Sequence, residues 1–184
     1  FTYTANRSGT YYLNAGAWNN QSAGSYVVEV QNISNPPSGS AWTLTQIAHQ
    51  LTDGYWDNLH ETTRAFDLSN SRVITVNLDQ LGDNQSYIDY AQRALALWSD
   101  VTGITFSVTS DSNAGIYFTS EQSGAWSDST VVRVGQSAKI TQSQVNVEIG
   151  WAGDDYTLQT FIHEIGHALG LGHAGNYNGS ATYG

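Results

Sequence analysis

Apolar and polar residues alternate at period two near the start of the chain. In SGTYYLNAGAWNNQSAGSYVVEV, Tyr11, Leu13, Ala15 and Ala17 share one face, and beyond the turn-rich NNQSAG so do Tyr26, Val28 and Val30. This pattern predicts a β-hairpin within residues 1–31. A lone hairpin is marginal in water. It is therefore expected to be part of an incomplete β-sandwich, or to add its edge to a neighbouring chain. NISNPPSGS follows, and its paired prolines and small polar residues predict a linker over 32–40. Residues 41–184 then form a second domain.

The pattern changes after the linker. AWTLTQIAHQLTDGYW predicts a short helix, with Thr43 or Thr45 as N-cap and Ile47 and Leu51 on one face. SRVITVNL, rich in β-branched residues, predicts a strand. DNQSYIDYAQRALALWSDVTG is the clearest helix, with a stripe of Tyr87, Tyr90, Ala91, Ala94, Leu97, Trp98 and Val101. Asp83 or Asn84 suits its N-cap, and Gly103 its left-handed stop. ITFSVTS, AGIYFTS, GAWSDSTVVRV and SQVNVEIG predict further strands. A last helix opens at Asp154 or Asp155, with Leu158, Phe161, Ile162, Ile165 and Leu169 as its core face. This order of elements predicts an α/β (α+β) domain with a mixed sheet.

Composition narrows the function classes. At 184 residues, 40% hydrophobic and 12% aromatic, the chain is expected to be globular, with room for one good-sized domain or for one domain plus a fragment of another. Its net charge of −10 and single lysine, Lys139, leave no basic patch, which argues against nucleic acid and anionic membranes as partners. No apolar run is long enough to span a membrane. Cysteine is absent, which leans towards secretion. Methionine is absent too, and FTYTANRSGT reads as mid-protein. The chain is therefore expected to be a piece of a longer polypeptide, with segments missing at both ends.

Three of the five histidines lie in HEIGHALGLGH, from His163 to His173. His163 and His167 are four apart, so on a helix both imidazoles leave one face and reach one metal ion. Glu164 is rotated by about 100° from His163 and can lie beside that ion without ligating it. Gly170 permits the positive φ that ends the helix, and His173 then swings back as third ligand. Three neutral imidazoles with an open fourth position describe a catalytic zinc site, in which Glu164 takes a proton from zinc-activated water and returns it to the leaving amine. A noncatalytic zinc site would leave Glu164 without a purpose. His49 and His60, by contrast, read as ordinary hydrogen-bonded histidines.

The pattern of His163, Glu164, His167, Gly170 and His173 resembles the metzincin signature. FIHEIGHALGLGHAGNYNGSATYG, QLTDGYW and ALALWSDVTGITF are similar to the serralysin branch of secreted bacterial zinc endopeptidases. The hairpin resembles the end of a prepeptidase C-terminal β-sandwich. The resemblance implies a metzincin-like zincin with a mostly parallel twisted sheet, a long helix and a zinc-site helix. It implies Zn2+ as cofactor, and leaves open Ca2+ in parts of the parent absent here. It also implies an antiparallel edge strand pairing with the substrate backbone, for which Ala125, Trp126 and Ser127 stand as candidates. An exposed loop is the alternative for these three residues.

The chain departs from the serralysin pattern in three places. Ala174 stands where serralysins carry proline, no methionine is present to form the family's turn beneath the zinc, and Tyr177 and Tyr183 lie too early to approach the metal. The catalytic domain in 41–184 is thus expected to be incomplete at its C-terminus. Phe161, Ile165 and Leu169 are then expected to be left in water, and this piece to be poorly active by itself. The functional expectation is a secreted, extracellular zinc endopeptidase of bacterial type acting on proteins or peptides. The alternative is a noncatalytic structural or adhesive module reusing the same fold.

Overall fold

A computed structural model describes residues 43–151 and 154–174. The chain divides into two units, Phe1–Ala41 and Trp42–Gly184. The expected hairpin and linker, and Tyr177 and Tyr183, lie outside the described residues.

The second unit is a mixed α/β structure built on six strands: β1 (Arg64–Phe66), β2 (Val73–Asn77), β3 (Thr105–Val108), β4 (Ile116–Thr119), β5 (Ala125–Val134) and β6 (Ser137–Val147). They run in the order β1-β6-β4-β2-β3, every pair in that row being parallel. β5 is the exception, antiparallel to β6 along its whole length. It therefore occupies one edge of β6, and β1 and β4 share the other end to end, at 138–140 and 143–146. The register slips between Thr130 and Val131, where Thr141 is the extra residue of a bulge. That bulge lies where β6 changes partner from β1 to β4.

Four helices accompany the sheet. α1 (Leu44–His49) runs through a wide π turn, Gln50–Gly54, into α2 (Tyr55–Asn58); α3 is Gln85–Thr102 and α4 Asp154–Ala168. Local chemistry sets their ends as expected. Thr43 caps α1 in a reciprocal capping box with Gln46, Asn84 accepts from the Tyr87 N–H at the start of α3, and Gly103 ends α3 at φ 68°.

α3 and α4 pack together over a core of Ile74, Val76, Ile116, Phe118, Val145 and Val147 from the sheet. Within α3 the buried residues are Tyr87, Ala91, Ala94 and Leu95, while Leu97 and Val101 are exposed. The buried face is thus rotated by about 45° from the expected stripe, because Leu95 replaces Leu97 and Val101 as a contact. Ile47 is likewise exposed, and α1 buries no residue. Phe161 and Ile165, expected in water, are fully buried. They lie on the flank of α4 that meets the sheet and α3. Leu169 is partly buried against the same core.

β1 and the first half of β6 have no counterpart in the expected strands. Arg64–Phe66 is too short to show alternation, and SAKITQ carries only Ala138 and Ile140 inward.

Candidate metal centre

The three histidines of the cluster come together. His163 and His167 leave α4 one turn apart, and their Nε2 atoms are 2.9 Å from each other. His173 returns beyond the helix end, placing its Nε2 2.9 Å from that of His167. His163 is exposed and the other two half-buried.

The His167 Nδ1 lies 2.8 Å from the Leu171 carbonyl. A carbonyl only accepts, so Nδ1 carries the proton and Nε2 presents a bare lone pair. That single lone pair cannot satisfy both neighbouring rings at once, whereas a cation at the centre satisfies all three. Zinc held at about 2.0–2.1 Å from each nitrogen would set them about 3.3 Å apart, close to the spacing found. Burial, with the neighbouring imidazoles adding to it, pushes the His173 pKa down to about 4 and also lowers that of His163. Both therefore stay neutral, the form a metal requires.

The turn between helix and third histidine accounts for its carbonyls one by one. Ile165, Gly166 and His167 receive the N–H groups of Leu169, Leu171 and Gly170. Ser143 donates to the Ala168 carbonyl at 2.9 Å, and its hydroxyl meets that of Ser129 on β5 at 2.8 Å. The Trp56 indole donates to the Gly170 carbonyl at 3.0 Å. Gly170 itself has φ 106°, and a Cβ there would lie 2.1 Å from the Arg64 carbonyl oxygen. Glycine is required on both counts. Gly166 faces Trp98 of α3, whose indole donates to the Ile162 carbonyl at 2.9 Å.

Glu164 is buried on α4, and burial raises its carboxyl to about 7. Among the described residues no hydrogen bond to that carboxyl is found. A half-open cavity of about 720 Å³ borders the histidines, lined with Leu51, Trp98, Ile162 and Leu171 among others.

Ala125, Trp126 and Ser127 open β5, a strand rather than a loop, opposite Val147, Asn146 and Val145 of β6. The outer edge of β5 has no partner strand among the described residues. Asn146, fully buried, fixes the loop before it: its amide donates to the carbonyls of Gln122 (2.9 Å) and Gly124 (2.8 Å), and its oxygen accepts from Thr119 at 2.9 Å. The Ser127 hydroxyl is buried without a hydrogen-bond partner. The polar contacts of Ser143, Asn146, Trp56 and Trp98 were not foreseen from sequence, since single polar contacts between distant segments leave no periodic signal.

No helix among the described residues is long and apolar enough to cross a membrane. In comparisons with known proteins, residues 62–179 match the Astacin peptidase family. Serralysin C of Dickeya chrysanthemi is 30% identical over 160 residues, covering 76% of this chain and 33% of that protein. Metalloprotease AprA of Pseudomonas entomophila is 32% identical over 105 residues, covering 50% of this chain and 22% of that protein. The chain thus spans a third or less of the length of these relatives. A solved structure of myroilysin is 25% identical, with a TM-score of 0.39 over 53% of this chain and 47% of that one.

Proposed function

The chain belongs to the Astacin peptidase family, and on that premise we propose that it carries the catalytic centre of a secreted zinc-dependent endopeptidase. The peptidase portion is assigned to residues 41–184. The observation that carries this reading is the meeting of three imidazole nitrogens on one point, with a bare lone pair at its centre. His163, His167 and His173 are the proposed ligands.

When bound, zinc supplies a Lewis acid and brings the pKa of a water down to about 7. Glu164 takes the proton of the attacking water and passes it to the nitrogen of the departing amine, so that the amide bond breaks with no net change in the enzyme. Its place one residue after His163 holds the carboxylate to the side of the ligand set. Its buried setting shields the proton in transit from bulk solvent.

β5 supplies the proposed substrate track. Its outer edge, unpaired among the described residues, offers main-chain donors and acceptors to an extended peptide, beginning at Ala125, Trp126 and Ser127. Such pairing reads backbone more than side chains, which suits protein substrates of varied sequence. The acidic, cysteine-free composition supports release into an oxidising exterior.

The test is hydrolysis of an unfolded protein such as casein by the full-length protein. Activity is expected to stop with a chelator and return with zinc. Glu164→Gln should retain zinc and lose turnover by at least about 100-fold, within the usual range for a general base. Unchanged turnover in that variant would overturn the mechanism.

A further inference from the structure

The third histidine has no support from its own helix. α4 ends at Ala168, five residues before His173, and the turn in between includes two glycines, Gly170 and Gly172. Such a turn is free to wander unless another element holds it. The element that does so comes from the far end of the domain, in QLTDGYW.

Five separate contacts converge on the turn from this segment. The Gly172 N–H donates to the Leu51 carbonyl at 2.7 Å. The Gln50 side-chain amide donates to the His173 carbonyl at 3.5 Å. The Tyr55 ring meets the His173 imidazole edge-to-face, with centroids 5.3 Å apart. The same ring lies so close to Gly172 that a Cβ there would fall 2.1 Å from it. The Trp56 indole holds the Gly170 carbonyl, and the Arg64 guanidinium covers that indole at 3.9 Å.

The π turn over Gln50–Gly54 lies at the centre of this arrangement. It widens the helix where Gln50 and Leu51 reach the turn, while Tyr55 and Trp56 follow directly at the start of α2. Single π turns inside α-helices are rare and recur at functional sites. Burial does not explain it, since no residue of α1, the π turn or α2 is buried.

We infer that Gln50–Trp56 is a positioning clamp for the third metal ligand, holding the Gly170–His173 turn so that the His173 imidazole completes the set begun by His163 and His167. The inference rests on the proposed metal-binding role of those histidines. Tyr55 orients the ring, Gln50 and Leu51 fix the backbone on either side of it, and Trp56 fixes the turn where it leaves the helix. None of these residues is a ligand or a catalytic residue.

The experiment is zinc affinity of the full-length protein, measured by competition with a chromophoric chelator. Cobalt substitution gives a second readout, because its visible spectrum reports the number of bound imidazoles. Tyr55→Ala is expected to weaken zinc binding by roughly 10- to 100-fold, the range typical of groups that orient a ligand, and to shift the cobalt spectrum towards that of His173→Ala. Gln50→Leu and Trp56→Phe each remove one hydrogen bond, and should weaken binding less while leaving far-UV circular dichroism unchanged. They carry the test if Tyr55→Ala fails to fold.

Gly172→Ala pushes a methyl into the Tyr55 ring and should behave like Tyr55→Ala. If His173→Ala weakens zinc but folded Gln50→Leu, Trp56→Phe and Tyr55→Ala all bind like the parent, the clamp is overturned and the metal site stands. If His173→Ala itself leaves affinity unchanged, the metal reading fails, and the clamp with it.

Discussion

α4 and the segment from Leu44 to Asn58 both reach the histidine cluster, yet different forces hold them. α4 carries His163 and His167, and is fixed by Phe161, Ile165 and Ala168, none of which is exposed to solvent. The N-terminal segment has no fully buried residue, only half-buried ones such as Leu51, Tyr55 and Trp56, and Leu44 is 72% exposed. It grips the turn to His173 through hydrogen bonds and one aromatic contact. Loss of packing in α4 should therefore unfold the domain. Loss of a contact in the segment should spare the fold and disturb only the third histidine. The histidine cluster thus draws its members from regions expected to differ widely in stability.

The sharpest way to break this contrast is Phe161→Ala. The ring is fully buried between Tyr87 and Phe118, with centroids at 5.6 and 6.2 Å. Its removal should cost about 3–5 kcal/mol in denaturant unfolding. A loss below about 1 kcal/mol would mean that α4 is not held by its core.

Ser143→Ala probes the join between the packed helix and the edge strand. It strands the Ala168 carbonyl and the Ser129 hydroxyl together, which should cost about 1–3 kcal/mol. Ser143→Thr keeps the hydroxyl and should recover part of that loss in the same thermal melts.

At the other extreme, Leu44→Ser on α1 should change unfolding free energy by no more than about 0.5 kcal/mol. A larger loss would show that this face of α1 is covered in solution.

The smallest effect is expected at Asp67, just past β1. Hydrogen bonds from the Ser69 hydroxyl (2.6 Å) and N–H (3.2 Å), with Lys139 at 3.3 Å, lower its carboxyl to about 2. A folded-state value below the unfolded one gives stability above about pH 4 that fades as the pH falls towards 2. The group is exposed, so its weight is slight. Carboxyl-carbon NMR titration of Ser69→Ala should show the Asp67 pKa moving up towards 3.8. A value still near 2 would leave the residue-69 N–H, which the variant keeps, and Lys139 as the main causes.

How far the sequence was legible follows the same division. The pairing of His163 with His167, the caps at Thr43 and Asn84 and the stop at Gly103 are local, each set by its near neighbours in the chain, whereas His173 and Gly170 were legible only through the spacing of the motif. α3 was legible as a helix, but not its orientation: Leu95, Leu97 and Val101 are equally apolar, and only the packing of α4 decides among them. β1 was illegible because three residues carry no period. The contacts of Trp56, Gln50 and Ser143 were illegible for another reason. A donor 114 residues from its acceptor, as Trp56 is from Gly170, leaves no trace in the spacing around either.

That separation also has a consequence in time. The contact between Gln50 and His173 closes a loop of 123 residues. Closing so long a loop is entropically late, because the strands and helices between must first bring its ends within reach. During synthesis the first end leaves the ribosome with most of the domain still to be made. A chain with its sheet, α3 and most of α4 in place would already present His163 and His167, but its third imidazole would arrive last. The order of assembly thus brings the three imidazoles together only towards the end of folding.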